Sequence, residues 1–275
     1  LKQKVNAALL KPFVEESVAE HETKRRRLST ESDHSEEMDI CSLALDVQKA
    51  EDPVQTVKPW ITIGNIRMSE EDRDDLENGN WLSDSHINAA QHLLCRQHRA
   101  VNGFQDTLLG AHALGYKSIT GPSALIHHVF GNHWILSTNI GGNVRIYDSL
   151  PFSMTSRLRR EISTIYKDMK DADNCIRVLV TPCQRQKGAD DCGLFAIANM
   201  VEILEGRLPE NKVCHQKKMR QHLITSFNAG KISQFPGKAV EVLSMEEQLV
   251  WVATCCKCRQ YLLSSTIVQC ASCKE

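Results

Sequence analysis

Cys192 sits at the mouth of an apolar stretch, Leu194-Phe195-Ala196-Ile197-Ala198-Asn199-Met200, directly after Gln186-Lys187-Gly188-Ala189-Asp190-Asp191. That stretch reads as a helix. A thiol at a helix N-terminus lies among unpaired backbone N–H groups at the positive end of the macrodipole, where the thiolate is favoured. This is the setting of a nucleophile; the alternative is a small buried cysteine that merely opens a helix. Upstream, Gly131-Asn132-His133-Trp134-Ile135-Leu136-Ser137 reads as a polar turn entering a strand, and Asn143-Val144-Arg145-Ile146-Tyr147-Asp148-Ser149 as the next strand. Gly141-Gly142-Asn143 between them supplies residues that tolerate positive φ, as a hairpin turn requires. Antiparallel pairing can then bring His133 and Asp148 together at one end of a sheet. There the carboxylate accepts from the imidazole, fixes its tautomer and leaves the second ring nitrogen for a thiol. An amide from Gln186, or from Gln184 two residues before it, offers a donor for an oxyanion.

The set His133-Trp134, Tyr147-Asp148-Ser149, Gln186-x4-Asp191-Cys192-Gly193 and Trp81-Leu82-Ser83-Asp84 resembles the signatures of the ubiquitin-like-protein-specific (SUMO-type) cysteine proteases. The resemblance covers roughly residues 58–230. Papain-type enzymes place the cysteine first, so the order His, Asp, Gln, Cys excludes a papain reading. The resemblance implies a papain-like cysteine-protease fold in circularly rearranged order, with Cys192 as nucleophile, His133 as base and then acid, Asp148 as orienter and Gln186 as oxyanion donor. It implies that Trp81 and Trp134 sandwich an extended Gly-Gly tail, since flat aromatic walls admit only a backbone without side chains. It further implies that Asp84 meets a basic residue of the ubiquitin-like partner; read as a residue, Asp84 is equally a helix cap. Ser83, Ser85-His86 and Lys187-Gly188-Ala189-Asp190 depart from the family pattern, which leaves the choice among ubiquitin-like modifiers open.

The expected activity is hydrolysis of the bond after the C-terminal Gly-Gly of SUMO or a related modifier, with no cofactor in the chemistry. The alternatives are a viral- or transposon-type processing peptidase, and a silent modifier-binding or chromatin-reader module. His127 and His128 are expected to hydrogen-bond a loop, and His86, His92, His98 and His112 to be structural.

The elements that must position these residues alternate between helix and strand. Apolar spacing predicts a helix over 86–98, a surface helix over 155–169, a strand over 175–180, the Cys192 helix over 192–205 stopped by Gly206, and a further helix over 213–227. The implied class is α+β, a small central sheet flanked by helices. Residues 1–55, rich in Glu, Lys, Ser and Asp, read as a largely disordered extension, and 231–254 as a connecting segment.

A formal net charge of −1 gives no strong nucleic-acid signal, and no apolar run approaches the length that spans a bilayer. The chain opens at Leu with no secretory pattern, the expectation for a fragment or processed product. A reduced nucleophile implies an intracellular protein; Lys24-Arg25-Arg26-Arg27 reads either as a nuclear import signal or as a solvated charge cluster. Five of the eleven cysteines fall within 255–275. Cys255, Cys258, Cys270 and Cys273 form two Cys-x2-Cys pairs, each able to clamp one edge of a tetrahedral zinc. Residues 267–275 also resemble the middle of a PHD finger cut before its later ligands.

Overall fold

Period-two alternation along the central strands sends apolar side chains to both faces of one sheet. The computed structural model describes residues 58–111, 115–129, 133–241 and 246–253. Its main sheet has the order β3-β4-β5-β6-β9, formed by Ala124–Val129, His133–Thr138, Val144–Tyr147, Cys175–Thr181 and Gln248–Ala253. β5 and β6 run parallel, and the other neighbours are antiparallel. Ala124, Ile126, Trp134, Leu136 and Tyr147 face one core; Leu125, Ile135, Val144, Ile146, Ile176 and Val178 face the other. The first core is closed by helices α2 (Asp84–Gln97), α4 (Cys192–Leu204) and α5 (Gln216–Ala229), the second by α3 (Ser156–Ile165). The expected α+β class, a central sheet flanked by helices, is what the chain forms.

Local chemistry sets the element ends. A hairpin of β1 (Ile61–Ile63) and β2 (Ile66–Met68) leads into α1 (Glu70–Asn78). Ser69 caps α1: its hydroxyl accepts from Asp72 N–H at 3.2 Å, while its own N–H donates to the Asp72 carboxylate at 2.7 Å. Gly79, with φ 83°, ends the helix in the left-handed region. The β4–β5 turn carries Gly141 and Gly142, both at positive φ, as the hairpin reading requires. α4 is buried from Cys192 to Ile203, which fits a helix apolar on all sides. Gly206 closes it at φ 72°. None of the described helices is long and apolar enough to cross a membrane.

Four expectations shift. The 213–227 helix begins at Gln216, because Lys212–Cys214 (β7) pairs instead with Gly237–Ala239 (β8). The segment 231–254 is not merely a connection: Leu249-Val250-Trp251-Val252-Ala253 is a β-prone run that completes the sheet as β9. The third change concerns His127 and His128, which belong to β3 rather than to a loop. His127 is wholly buried: its Nδ1 meets Glu161 Oε2 at 2.9 Å and its Nε2 meets Ser137 Oγ at 2.7 Å. Ser137 in turn bonds the Tyr166 hydroxyl at 2.8 Å, so every polar atom in this core cluster has a use. Burial pushes Glu161 up, but His127 and Arg157 outweigh it and hold the carboxyl below its ordinary range. Fourth, the cap of α2 is Ser83, not Asp84. Ser83 N–H donates to His86 Nδ1 at 3.0 Å, and His86 Nε2 reaches Asp72 O at 2.7 Å. That ring is buried and its pKa is lowered, by desolvation first, as suits a neutral structural histidine.

The expected extension 1–55 and the cysteine-rich end 255–275 lie outside the described residues, and so do Cys255, Cys258, Cys270 and Cys273. Among the described residues no group of three or more His, Cys, Asp or Glu side chains could hold a metal.

Candidate active site

His133 opens β4 and Asp148 follows directly on β5, and the antiparallel register Leu136↔Tyr147 sets the two side chains at the same end of the sheet. His133 Nε2–H donates to Asp148 Oδ1 at 2.8 Å. That oxygen also accepts from Leu150 N–H at 2.8 Å, which locks the carboxylate on the turn leaving β5. The remaining ring nitrogen, Nδ1, is buried without a hydrogen bond of good geometry. The Cys192 sulfur is close enough to raise the basicity of the same ring. Burial alone would lower the His133 pKa, but the Asp148 bond, then the thiol, overcome it and lift it to about 9. The imidazole is thus hydrogen-bonded to the carboxylate, and the thiol lies against the same ring.

Cys192 is the first residue of α4 and is buried. The close approach there is made possible by Gly193. A Cβ added to it would lie 3.0 Å from Leu82 Cβ and 3.1 Å from Trp134 Cδ1. Asp191 holds the N-cap position yet its carboxylate does not cap the helix. Instead Oδ1 accepts from Arg220 Nη2 at 2.6 Å and Nε at 3.0 Å, and Oδ2 accepts from Gln216 Nε2 at 2.6 Å. With the usual capping side chain turned away, the N–H groups of the first turn of α4 have no side-chain cap. Arg220 also donates to the carbonyls of Asn80 at 2.7 Å, Asp75 at 3.2 Å and Asp190 at 3.2 Å. One guanidinium therefore ties the segment before Trp81 to the turn before Cys192.

The two glutamines separate cleanly. Gln184 spends its amide on the backbone of Cys214, accepting from N–H at 2.6 Å and donating to O at 3.2 Å. Gln186 Oε1 accepts from Ser149 Oγ at 2.7 Å, which orients the amide, and Nε2 donates to Gly188 O at 3.0 Å. An amide nitrogen carries two protons, so one donor of Gln186 remains for another acceptor. Ser149 and Arg220 carry this arrangement and were not singled out from sequence. Ser149 had a signal, its place beside Asp148. Arg220 had only its four-residue spacing from Gln216 on one face of α5.

The two tryptophans differ sharply. Trp81 is 47% exposed, its indole N–H donating to Ala189 O at 3.3 Å across the turn before Cys192. Trp134 is 3% exposed, its N–H donating to Leu82 O at 2.9 Å and its ring 4.5 Å from that of His128. Asp84 lies in the first turn of α2 and accepts from Thr107 Oγ1 at 2.6 Å.

A scan against protein-family models and a search of curated proteins found no match. Among solved structures the chain is similar to the SUMO protease Ulp1 with its catalytic cysteine oxidised to a sulfenic acid. Identity is 15%, coverage 62% of this chain and 89% of that one, and TM-score 0.50. The sulfonic acid form of Ulp1 matches at 15% identity, covering 63% and 89%, with TM-score 0.50. The C-terminal Ulp1 protease domain in complex with Smt3, the yeast ortholog of SUMO, matches at 15% identity, 61% and 85% coverage and TM-score 0.49. At such identity the likeness is one of architecture: the described residues have the fold of the SUMO protease Ulp1.

Proposed function

We propose that this protein is a cysteine-type peptidase or isopeptidase that cleaves after the C-terminal Gly-Gly of SUMO or a related ubiquitin-like modifier. The observation that carries the reading is the 2.8 Å bond from His133 to Asp148, made by the ring whose basicity the Cys192 sulfur raises. Cys192 attacks the carbonyl carbon of the terminal glycine as a thiolate, its proton held on His133. The tetrahedral oxyanion is met by the backbone N–H of Cys192 and by the Gln186 amide. As the carbon–nitrogen bond breaks, His133 passes its proton to the leaving amine. A water deprotonated by His133 then opens the thioester and regenerates the thiol.

Trp81 and Trp134 are the walls for the Gly-Gly tail. Trp81 offers an indole that is about half exposed, and Trp134, nearly buried, packs closely against Gly193. Asp84 is the acceptor for a basic residue on the modifier.

The test is a panel of electrophilic C-terminal probes built on SUMO, NEDD8 and ubiquitin. At least one is expected to label Cys192 and to fail on Cys192→Ala. Silence across the panel would favour a polyprotein-type peptidase or a binding module. Replacing Gln186 with alanine is expected to cut turnover by about 10²–10³-fold with modifier affinity nearly unchanged. A proportionate loss of affinity in a binding titration would make Gln186 a docking residue instead.

A further inference from the structure

Four buried side-chain polar atoms among the described residues have no hydrogen-bond partner. One is His133 Nδ1, in the site already described. The other three, the Tyr147 hydroxyl, Arg207 Nη2 and Glu210 Oε2, belong to residues lining one cavity of ≈ 410 Å³ beside the C-terminal end of α4. Buried polar groups in folded proteins are nearly always satisfied, so three around one cavity mark a place shaped for a polar ligand. The volume falls within the range of about 300–1,000 Å³ found for small-ligand sites.

The chemistry of the walls narrows the ligand. Arg145 and Glu247 neutralise each other at 3.2 Å, and Arg207 is held by Glu202 at 2.6 Å through its Nε. A bare anion entering the cavity would meet Glu210 and Glu247, and a bare cation would meet Arg145 and Arg207. What the walls leave over is one strong donor, Arg207 Nη2, and one strong acceptor, Glu210 Oε2. Tyr147 stands between those characters: its hydroxyl feels Glu210 and Thr181 without forming a hydrogen bond of good geometry. Burial raises the pKa of Glu210, against the opposing pull of its own backbone N–H, Arg145 and the nearby Tyr147 hydroxyl. Ile140 and Ile203 supply apolar wall, and Leu208 at the rim is 52% exposed, among the few large apolar side chains left in solvent.

We propose that this cavity binds an extended peptide segment. One backbone amide is read there, its carbonyl accepting from Arg207 and the Tyr147 hydroxyl and its N–H donating to Glu210, with an aliphatic side chain against Ile140, Ile203 and Leu208. With Arg145 paired to Glu247 and Arg207 to Glu202, a neutral amide uses the unpaired donor and the unpaired acceptor together. The site lies at the opposite end of α4 from Cys192 and stands independently of the protease reading.

The experiment titrates the full chain, methyl-labelled at Ile and Leu, with N-acetyl-leucinamide. Saturable shifts are expected at Ile140, Ile203 and Leu208, with a dissociation constant on the order of millimolar, as a few neutral contacts allow. Tyr147→Phe is expected to weaken binding about fivefold, and Glu210→Ala about tenfold or more. Methyl spectra elsewhere report whether each variant keeps its fold, and Glu210→Gln serves as the conservative second variant at that position. Absence of shifts up to the solubility limit would overturn the proposal, the cavity then holding water only. Equal shifts from acetate or methylammonium, or unchanged affinity in folded Tyr147→Phe and Glu210→Gln, would also overturn it.

Discussion

Asp148→Asn is expected to lower turnover of a Gly-Gly-terminated substrate by about 10²–10⁴-fold while leaving the protein folded. The side chain keeps its shape and an oxygen that can accept from His133, but loses the negative charge. That charge matters because burial by itself lowers the His133 pKa, and the Asp148 bond is the largest effect raising it to about 9. With the carboxylate neutralised, burial regains weight and the ring sheds its proton at lower pH. The alkaline limb of kcat/KM, expected near pH 9 in the native protein, should therefore move toward neutrality in the variant. The same linkage acts on stability. The contribution of His133 is fully present below the ordinary imidazole value of 6.5 and is lost as pH rises through about 9. A pH–rate profile with an unmoved alkaline limb would show that Asp148 does not act through the charge of the ring.

Arg220→Gln should produce two losses at once. The Asp191–Arg220 pair is largely buried, with side chains 17% and 16% exposed, so removing the cation strands a carboxylate away from water. Breaking such a pair from one side costs about 3 kcal/mol of stability, readable as a shift in the denaturant midpoint. The second loss is catalytic. Freed from Arg220, the Asp191 carboxylate can swing onto the first-turn N–H groups of α4, where an aspartate at the N-cap ordinarily binds. Those groups, on Gly193 and Leu194, adjoin the Cys192 N–H assigned to the oxyanion, and a carboxylate placed beside it should oppose the developing negative charge and lower turnover by about 10²-fold. The double variant Arg220→Gln with Asp191→Asn separates the two effects. It leaves no unpaired charge and only a weaker competitor for the N–H groups, so it should recover part of both losses. A double variant as impaired as Arg220→Gln alone would mean that the backbone bonds to Asp75, Asn80 and Asp190 carry the whole effect.

How far the sequence disclosed this arrangement depended on the range of the interaction involved. Features settled within a few residues were readable: the glycine turn before Val144, the apolar helix behind Cys192 and its stop at Gly206. Convergence of His133 and Asp148 was also readable, because a short hairpin leaves little choice of register. Strand β3 was hidden by its own chemistry, since His127 and His128 interrupt the apolar run and only distant Glu161 and Ser137 make the buried His127 tolerable. Strand β9 carried a clear β-prone run, but nothing local ties 248–253 to a partner some seventy residues earlier. Gln184 and Gln186 were chemically alike on paper. What distinguishes them is whether the neighbour is the backbone of Cys214 or the hydroxyl of Ser149, and both neighbours come from elsewhere in the chain. Trp81 and Trp134 likewise share a residue type and diverge entirely in exposure, a property of packing rather than of composition.

The cluster of Ser137, His127 and Glu161 bears on how hydrolases are sought in coordinates. Its spacings, 2.7 Å and 2.9 Å, are those of a serine nucleophile, its base and an acid, yet all three side chains sit in the interior. A template that scores interatomic distances alone would flag this cluster as readily as the rim of the sheet where His133 lies. Partial exposure of the His133 ring, against the wholly buried His127, separates the two, so any geometric screen for enzymes should weigh access to the base as heavily as its company.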